Sequence, residues 1–255
     1  MKNRISRLIA TGIACLCESM MATSALADET YYTATTNGYT FSYRLDGANA
    51  VIERSGIVSD VITYFPAVSP APSGAFEVPA TLDGHPVTGL GPQSFVTNAL
   101  LTAVTLPESL TEIGSSVFYQ CTALQSVNIP DGVTGIGPNA FYGCSALTGT
   151  VTGAGVKSAD FAAFGNCRGI KEIRLPAVTN LGDRAFLFCT SLTNVVLGAD
   201  LAAIGNQACG FCSSLAAFEI PAGVTTIGDA PFQDCSALKR ITLAAGNTAF
   251  CVSNA

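Results

Sequence analysis

Six cysteines recur along the chain at a nearly constant interval. The steps between them along the chain are 23, 23, 22, 23 and 23, and Asn98, one step before the first of them, opens the series without a cysteine. A fixed interval of about 20–50 residues is typical of chains that stack one structural unit many times. The interval therefore predicts a repeat protein whose core runs along a stack of units. The six cysteines are Cys121, Cys144, Cys167, Cys189, Cys212 and Cys235.

Apolar residues accompany each cysteine at fixed distances. One unit follows the pattern A-F-x-x-C-x-x-L-x-x-V-x-I-P-x-x-V-x-x-I-G. Val127 and Ile129 are two positions apart, so they share one face of a short strand. Phe118, Cys121 and Leu124 are three positions apart, which suits a helical or 3₁₀ turn that lines the same interior. A single unit cannot bury its apolar side alone, and stacked neighbours bury it.

Proline and glycine mark the boundaries within the unit. Proline cannot donate to a ladder in mid-sheet, so the proline after the strand is expected to end it, as at Pro130. The closing glycine predicts a turn with positive φ. These glycines are Gly114, Gly137, Gly182, Gly205 and Gly228.

The third unit departs from this pattern. Thr150, Thr152 and Gly153 stand where other units have Val, Ile and Pro, and Asp160 replaces the closing glycine. The step from Cys144 to Cys167 is nevertheless 23, so the unit keeps its length. We therefore expect the coil to be kept with weaker packing, which predicts a local soft spot over residues 148–163.

The segment 1–27 has the pattern of a secretory signal peptide. Three basic residues precede residue 8, residues 8–17 form a short apolar run, and an A-x-A cleavage signal ends at Ala27. The alternative is a buried N-terminal helix. Cleavage after Ala27 predicts a secreted or cell-surface protein.

The rest of the chain is acidic and sparsely charged. Only 12% of the residues are charged, about half the usual share. Cleavage after Ala27 removes three basic residues and one acidic residue, which moves the net charge from −6 to −8. An acidic chain without a basic run disfavours nucleic acid and anionic membrane surfaces as partners. The body contains no apolar run of about 18 uncharged residues, so no membrane insertion of the mature chain is expected.

Sequence motifs for catalysis, metals and cofactors are not found. His85 is the single histidine, and a lone histidine does not predict a metal site or a catalytic triad. The cysteine spacing fits neither a zinc site nor a small disulfide scaffold, so buried reduced thiols are expected. Cys209 and Cys212 form a C-x-x-C, but both occupy repeat positions. Cys251 takes a repeat glycine position and is the expected reactive thiol. We expect no enzyme, no metal and no cofactor.

These units resemble the BspA-like class of leucine-rich repeats. The resemblance rests on residues 118–130, FYQCTALQSVNIP, and on residues 133–137, VTGIG, and it extends over residues 76–250. It implies a leucine-rich-repeat solenoid with right-handed coils of short parallel β-strands plus turns or short helical segments. The expected segments are a signal peptide at 1–27, an N-terminal β cap at 28–75, and repeats at 76–255, about seven full units plus an incomplete last one.

The resemblance also implies a function outside the cell. The resemblance implies a surface or secreted protein with a role in adhesion or protein binding. The expected partner is an extracellular protein or glycoprotein. The alternative is a structural spacer segment of a longer surface protein. A weaker alternative is a secreted hydrolase that uses a carboxylate pair.

The side of the strands turned away from the core is the first candidate binding surface. Its central outward positions are expected to be Thr105, Asn128, Val151, Arg174, Val196, Glu219 and Thr242. The parallel row two residues earlier is Ala103, Ser126, Gly149, Glu172, Asn194, Ala217 and Arg240. From these rows the candidate binding residues are Asn128, Glu172, Arg174, Asn194, Glu219 and Arg240. The alternative is a solvated face without a ligand.

A second candidate is a row of aromatic residues that follows the repeat Phe. Exposed aromatic residues in line would mark a protein interface. The alternative is that they pack against the turn of the next coil. The candidates are Tyr119, Tyr142, Phe188 and Phe211.

Overall fold

Strands and turns form the described part of the molecule. The computed structural model describes residues 3–4, 30–54 and 67–250. Short parallel strands stack coil upon coil, which confirms the predicted solenoid. Within those three ranges the expected short helical segments are replaced by turns. The same residues include no helix with the length and hydropathy needed to cross a membrane.

Each coil of the array contributes two strands, except the last, which contributes only β21 within the described residues. The strands in chain order are β1 (Asn3–Arg4), β2 (Tyr31–Thr36), β3 (Tyr39–Asp46), β4 (Asn49–Ile52), β5 (Val68–Ser69), β6 (Gly74–Glu77), β7 (Thr81–Leu82), β8 (His85–Leu90), β9 (Leu101–Thr105), β10 (Glu112–Ile113), β11 (Ser126–Val127), β12 (Gly135–Ile136), β13 (Gly149–Thr152), β14 (Ser158–Ala159), β15 (Ile170–Leu175), β16 (Asn180–Leu181), β17 (Asn194–Leu197), β18 (Ala203–Ile204), β19 (Ala217–Ile220), β20 (Thr226–Ile227) and β21 (Arg240–Leu243).

The two strands of each coil line different faces. The short strands β10, β12, β14, β16, β18 and β20 continue in parallel from β8 as one sheet. The longer strands β6, β9, β11, β13, β15, β17, β19 and β21 form what we call the strand face. This face is divided into three sheets, which are β6–β9–β11, β13–β15–β17 and β19–β21.

An antiparallel group of strands precedes the array. Asn37 and Gly38, with φ of 53° and 81°, connect β2 to β3, and this dipeptide favours two-residue hairpin turns. β3 pairs with β4, and β4 pairs in parallel with β8, so this group and the first coil share one sheet. Of the segment expected to be the signal peptide, the structure describes only β1, which pairs with β2; the remainder lies outside the described residues.

The rings at the repeat Phe position stack along the interior. The ring centroids of Phe95, Phe118, Phe141 and Phe164 follow one another at 5.3, 5.2 and 5.2 Å, with neighbouring planes within 17° of each other. The stack reaches Phe186 at 6.2 Å. Burial of one Phe side chain contributes about 1.5–3 kcal/mol. Because each ring contacts rings from both neighbouring coils, the stack couples the coils to each other.

The glycines that close the units do not have positive φ, contrary to expectation. A Cβ added at Gly137 would lie 2.8 Å from backbone atoms of Gly114 and Ser115 in the preceding coil, and the closing glycines of later coils meet backbone at 2.5–2.6 Å. These glycines therefore allow neighbouring coils to approach closely. The left-handed conformation falls two residues later, as at Asn139 with φ of 57°.

Left-handed residues also explain why turns replace the expected helix. Ser116 and Gln120 have φ of 55° and 58°. The amides of Ser116, Phe118 and Gln120 donate to carbonyls of the next coil, whereas the amides of Tyr119 and Cys121 bond within their own coil. A helix directs its amides along its own axis. The alternation of left-handed residues thus lets the turn bond between coils as a strand does.

Each thiol of the cysteine series is buried and donates a hydrogen bond across coils. Cys144 Sγ donates to the carbonyl of Phe118 at 3.1 Å, and the other five do the same at 3.0–3.1 Å. Asn98 replaces the thiol in the first coil, because its side-chain amide donates to the carbonyl of Pro72 at 2.9 Å. The cysteines in the described residues are free thiols.

The third unit keeps its core through a bulge. Thr150 and Thr152, expected in the core, are exposed, and Val151 is only 2% exposed. Gly149, with φ of 77°, shifts the register so that Val151 pairs with Ile173. The expectation that Val151 faces outward is therefore wrong, because it assumed an unbroken two-residue alternation.

Candidate binding surface

The strand face presents the six side chains that the sequence singled out. Five of them are exposed or partly exposed, and Glu172 is half-buried. They lie on or directly after β11, β15, β17, β19 and β21, which are strands held by ladders on at least one side. The six are Asn128, Glu172, Arg174, Asn194, Glu219 and Arg240.

Glu172 organises the centre of this face. Its Oε1 accepts a hydrogen bond from Asn194 Nδ2 at 2.6 Å and lies 2.8 Å from Arg174 Nη2, and its Oε2 accepts from Thr150 Oγ1 at 3.1 Å. The hydrogen bond from Asn194, followed by those from Thr150 and Arg174, holds the pKa of Glu172 below its usual value. These charge-assisted contacts fix a polar network across three strands.

Asn128 has a structural role on the same face. Its Oδ1 accepts from the amide of Leu106 at 2.8 Å, and its Nδ2 donates to the carbonyl of Leu106 at 3.3 Å. The side-chain amide therefore continues the ladder between β9 and β11 beyond its last backbone pair. A ligand that took hydrogen bonds from Asn128 would have to replace these two.

The strand face is interrupted at two places. In the described chain, no backbone ladder joins β11 to β13 or β17 to β19. The first break follows from the bulge at Gly149, which moves β13 out of register. The second break adjoins the unit in which Phe218 replaces the usual Val or Ile.

A groove of about 560 Å³ lies where β17 and β19 part. The side chains of Val195 and Leu197 form an apolar floor in this groove. Both are half-buried, whereas the equivalent Ile173 and Leu175 of β15 are 0% exposed. Sequence patterns did not indicate this groove, since Val195 and Leu197 are ordinary core residues of the repeat. Polar side chains along it are Asn194, Glu219, Arg240 and Thr242.

The four candidate aromatic residues form two separate pairs and not one line. Tyr119 and Tyr142 stack at 5.4 Å, and Phe188 and Phe211 stack at 4.5 Å. The first pair directly follows the repeat Phe, and the second pair stands one position later. The expectation of one row is therefore wrong, because the two pairs belong to neighbouring rows of the turn.

The tyrosine pair packs onto the turn of the next coil, which was the alternative to an exposed aromatic interface. A Cβ added at Gly165 would lie 2.8 Å from the ring of Tyr142. Tyr119 and Tyr142 are half-buried, while Phe188 is 36% exposed. Phe161 is a further exposed aromatic residue, which the sequence did not single out, and it is 43% exposed. The guanidinium of Arg184 lies 5.7 Å from the centroid of its ring.

The remaining candidates take structural places. His85 Nδ1 lies 2.9 Å from the carbonyl of Ala48, between the first coil and the preceding hairpin. Cys209 and Cys212 are both 0% exposed. No group of three or more His, Cys, Asp or Glu side chains suited to a metal occurs among residues 30–54 and 67–250. Cys251 lies outside the described residues.

Comparisons with known proteins identify the repeat. The family model described as "BspA type Leucine rich repeat region" matches in six copies, over residues 88–208 and 146–253. A solved leucine rich cell surface protein from Faecalibacterium prausnitzii is 31% identical, with a TM-score of 0.68 over 83% of this chain and 54% of that one. No curated protein matches the chain.

Two further solved structures share the fold. A leucine-rich repeat protein from Bacteroides ovatus is 25% identical, with a TM-score of 0.61 over 86% of this chain and 53% of that one. The leucine-rich repeat protein of T. pallidum, at 23% identity, has a TM-score of 0.67 over 81% of this chain and 91% of that one. The chain thus spans about half the length of the F. prausnitzii and B. ovatus proteins.

Proposed function

The chain belongs to the BspA-type leucine-rich repeat family, and from this premise we propose that it is an extracellular protein-binding or adhesion module that acts without catalysis. The observation that carries the proposal is the fixed polar network of Glu172, Arg174 and Asn194 on the strand face. A network on stacked strands is arranged before a partner arrives, so binding orders few side chains.

Localisation outside the cell is part of the proposal. The F. prausnitzii protein is named a cell surface protein, and the segment 1–27 follows the signal-peptide pattern with cleavage after Ala27. The acidic net charge favours an extracellular protein or glycoprotein over nucleic acid as the partner.

A non-catalytic role agrees with the relatives, which are named as repeat or surface proteins. The pKa of Glu172 is lowered by its hydrogen bonds. A carboxyl group held ionised in this way is a poor general acid. In enzymes, a carboxyl group that acts as a general acid has a pKa raised towards neutrality. The proposal therefore gives Glu172 a role in recognition.

A second candidate function is a structural spacer in a longer surface protein. It is favoured by the length of the F. prausnitzii and B. ovatus relatives, of which this chain covers about half. A spacer needs a continuous core between its ends, and the ring stack contributes to such a core.

The test is a binding screen with the mature chain, residues 28–255. The array holds extracellular matrix proteins, mucins, glycans and host-cell surface proteins. The double variant Glu172→Ala/Arg174→Ala removes the centre of the network. Asp131→Ala/Lys157→Ala, which removes one exposed charge of each sign away from the strand face, is the matched control.

We expect a saturable ligand whose affinity falls about tenfold in the test variant and is unchanged in the control. Equal binding by both variants would move the contact away from the network. The absence of any ligand, with circular dichroism showing a folded sample, would favour the spacer.

A further inference from the structure

The backbone of β19 has an unpaired edge inside the strand face. The carbonyls of Ala216 and Ile220 accept amides from the next coil at 3.0 and 2.9 Å. Main-chain groups of successive residues in a strand point to opposite sides, so those of Ala217 and Glu219 point towards β17. No backbone partner meets them there among the described residues. The amides of such an edge donate to water or to another backbone, and its carbonyls accept from them.

Two opposite charges stand beside this edge. Ala217 pairs with Arg240 in the register of β19 and β21, so Glu219 lies two residues farther along the strand than Arg240. Two residues of strand span roughly 6–7 Å. Neither side chain forms an ion pair within the described residues. The pair matches a ligand with an acidic and a basic side chain two residues apart on one face.

The chemistry of the groove favours a peptide as its occupant. The apolar floor of Val195 and Leu197 suits the alternate side chains of an extended chain. The unpaired donors and acceptors of β19 complement another main chain, as in strand addition. Phe218, the aromatic residue in the groove, is only 4% exposed and offers no open ring to stack on a sugar.

We propose that the groove between β17 and β19 binds an extended peptide segment of the partner protein through main-chain hydrogen bonds and the charges of Glu219 and Arg240. This inference rests on the proposed function, since it names the part of the partner that is recognised. It centres the contact on Glu219 and Arg240, beside the ion pair of Glu172 and Arg174. Asn194 borders both places, and none of the test variants changes it, so the two contacts are separable by mutation.

The probe is a phage-displayed library of random twelve-residue peptides, selected on the mature chain. Enriched sequences are made as fluorescent peptides and titrated by anisotropy. Ala217→Trp fills the groove from an exposed position, and Ser126→Trp places the same side chain in the same row on β11. Arg240→Glu is the second test variant, should Ala217→Trp fail to fold.

We expect enriched peptides with acidic and basic residues two positions apart. Ala217→Trp and Arg240→Glu should each weaken binding about tenfold, with little change in Ser126→Trp. N-methylation of alternate peptide amides should weaken binding by a similar factor, because it removes main-chain donors. No enrichment, or peptides that bind Ala217→Trp and Ser126→Trp equally, would overturn the proposal.

The screen against extracellular proteins separates this outcome from the proposed function. A ligand that is weakened by Glu172→Ala/Arg174→Ala but not by Ala217→Trp would overturn the groove and keep the binding function. A folded chain that binds neither library peptides nor array proteins would overturn both.

Discussion

The ring of Phe218 lies 4.7 Å from the ring of Phe232, with the planes tilted by 57°. Phe218 stands where other units have Val or Ile, and Cys209 of the same unit stands at the repeat Phe position. The ring stack that runs from Phe95 to Phe186 is broken at Cys209. The coil loses volume at Cys209 and gains volume at Phe218, whose ring contacts the repeat Phe of the next coil, so we expect the two exchanges to offset each other.

The exchange between Cys209 and Phe218 predicts strong coupling between them. Cys209→Phe alone overpacks the coil and should cost about 1–3 kcal/mol. Phe218→Val alone leaves a cavity and should cost a similar amount, about 1–3 kcal/mol. The double variant should cost at least about 1 kcal/mol less than the sum of the two, measured by urea unfolding. As a control, Phe218→Val with the distant Cys144→Ala should be additive; coupling of equal size there would contradict the argument.

Two glycines two residues apart should respond oppositely to alanine. Gly137→Ala places a Cβ 2.8 Å from the backbone of the preceding coil, which cannot move without shifting the stack, so a loss of about 1–3 kcal/mol is expected. Gly135 has ordinary φ and only Ser158 Oγ at 3.7 Å, so Gly135→Ala should gain about 0.4–1 kcal/mol. Thermal unfolding compares them, and similar midpoints for both variants would refute the close-approach explanation.

The sequence predicted which side chains face the core, because burial follows the repeat step. Phe118 and Cys144 are both 0% exposed, as their positions in the unit indicated. Asn194 and Arg240 lie on the exposed side of their strands for the same reason. A periodic pattern records the direction of each side chain, and that direction is a local property of the strand.

Contacts between coils were not predictable in the same way. The bulge that buries Val151 depends on one glycine, and a shift of one residue reverses every side chain after it. The thiol hydrogen bond of Cys144 and the gap beside Ala217 depend on how close two coils approach. The pattern within one unit contains no information on that distance, so these features required the structure.

The thiols of Cys121 and Cys189 should resist both alkylation and ionisation. Burial raises the pKa of Cys121 and of Cys189 to about 12, against about 8.5 in an unfolded chain. The native state thus favours the protonated thiol, so this contribution is complete below about pH 8.5 and is lost as the pH rises towards 12. The free energy of unfolding should therefore fall from pH 8 to pH 10.

Iodoacetamide labelling at pH 8, read by mass spectrometry, checks the same feature. Cys121 and Cys189 should label slowly in the folded chain and rapidly in urea, because the thiolate is the reacting form. A Cys189→Ala variant should show a smaller loss of stability between pH 8 and pH 10. Fast labelling of both thiols without urea would show that the cores of these coils open readily.

The third coil should exchange its amide hydrogens faster than its neighbours. The amide of Gly153 donates to Arg174 in β15, so by alternation the amides of Thr150 and Thr152 point towards β11, with which β13 forms no ladder in the described chain. These two amides should exchange about tenfold faster than those of β15, measured by mass spectrometry or NMR.

Deletion of Gly149 would place Val151 six positions after Cys144, the same distance as Val127 from Cys121. The deletion should therefore restore the ladder to β11 and slow exchange at Thr150 and Thr152. Gly149→Ala keeps the length and serves as the control, since it leaves the register shifted. If exchange over residues 148–163 is already as slow as in neighbouring coils, the bulge does not weaken the coil, and the prediction is wrong.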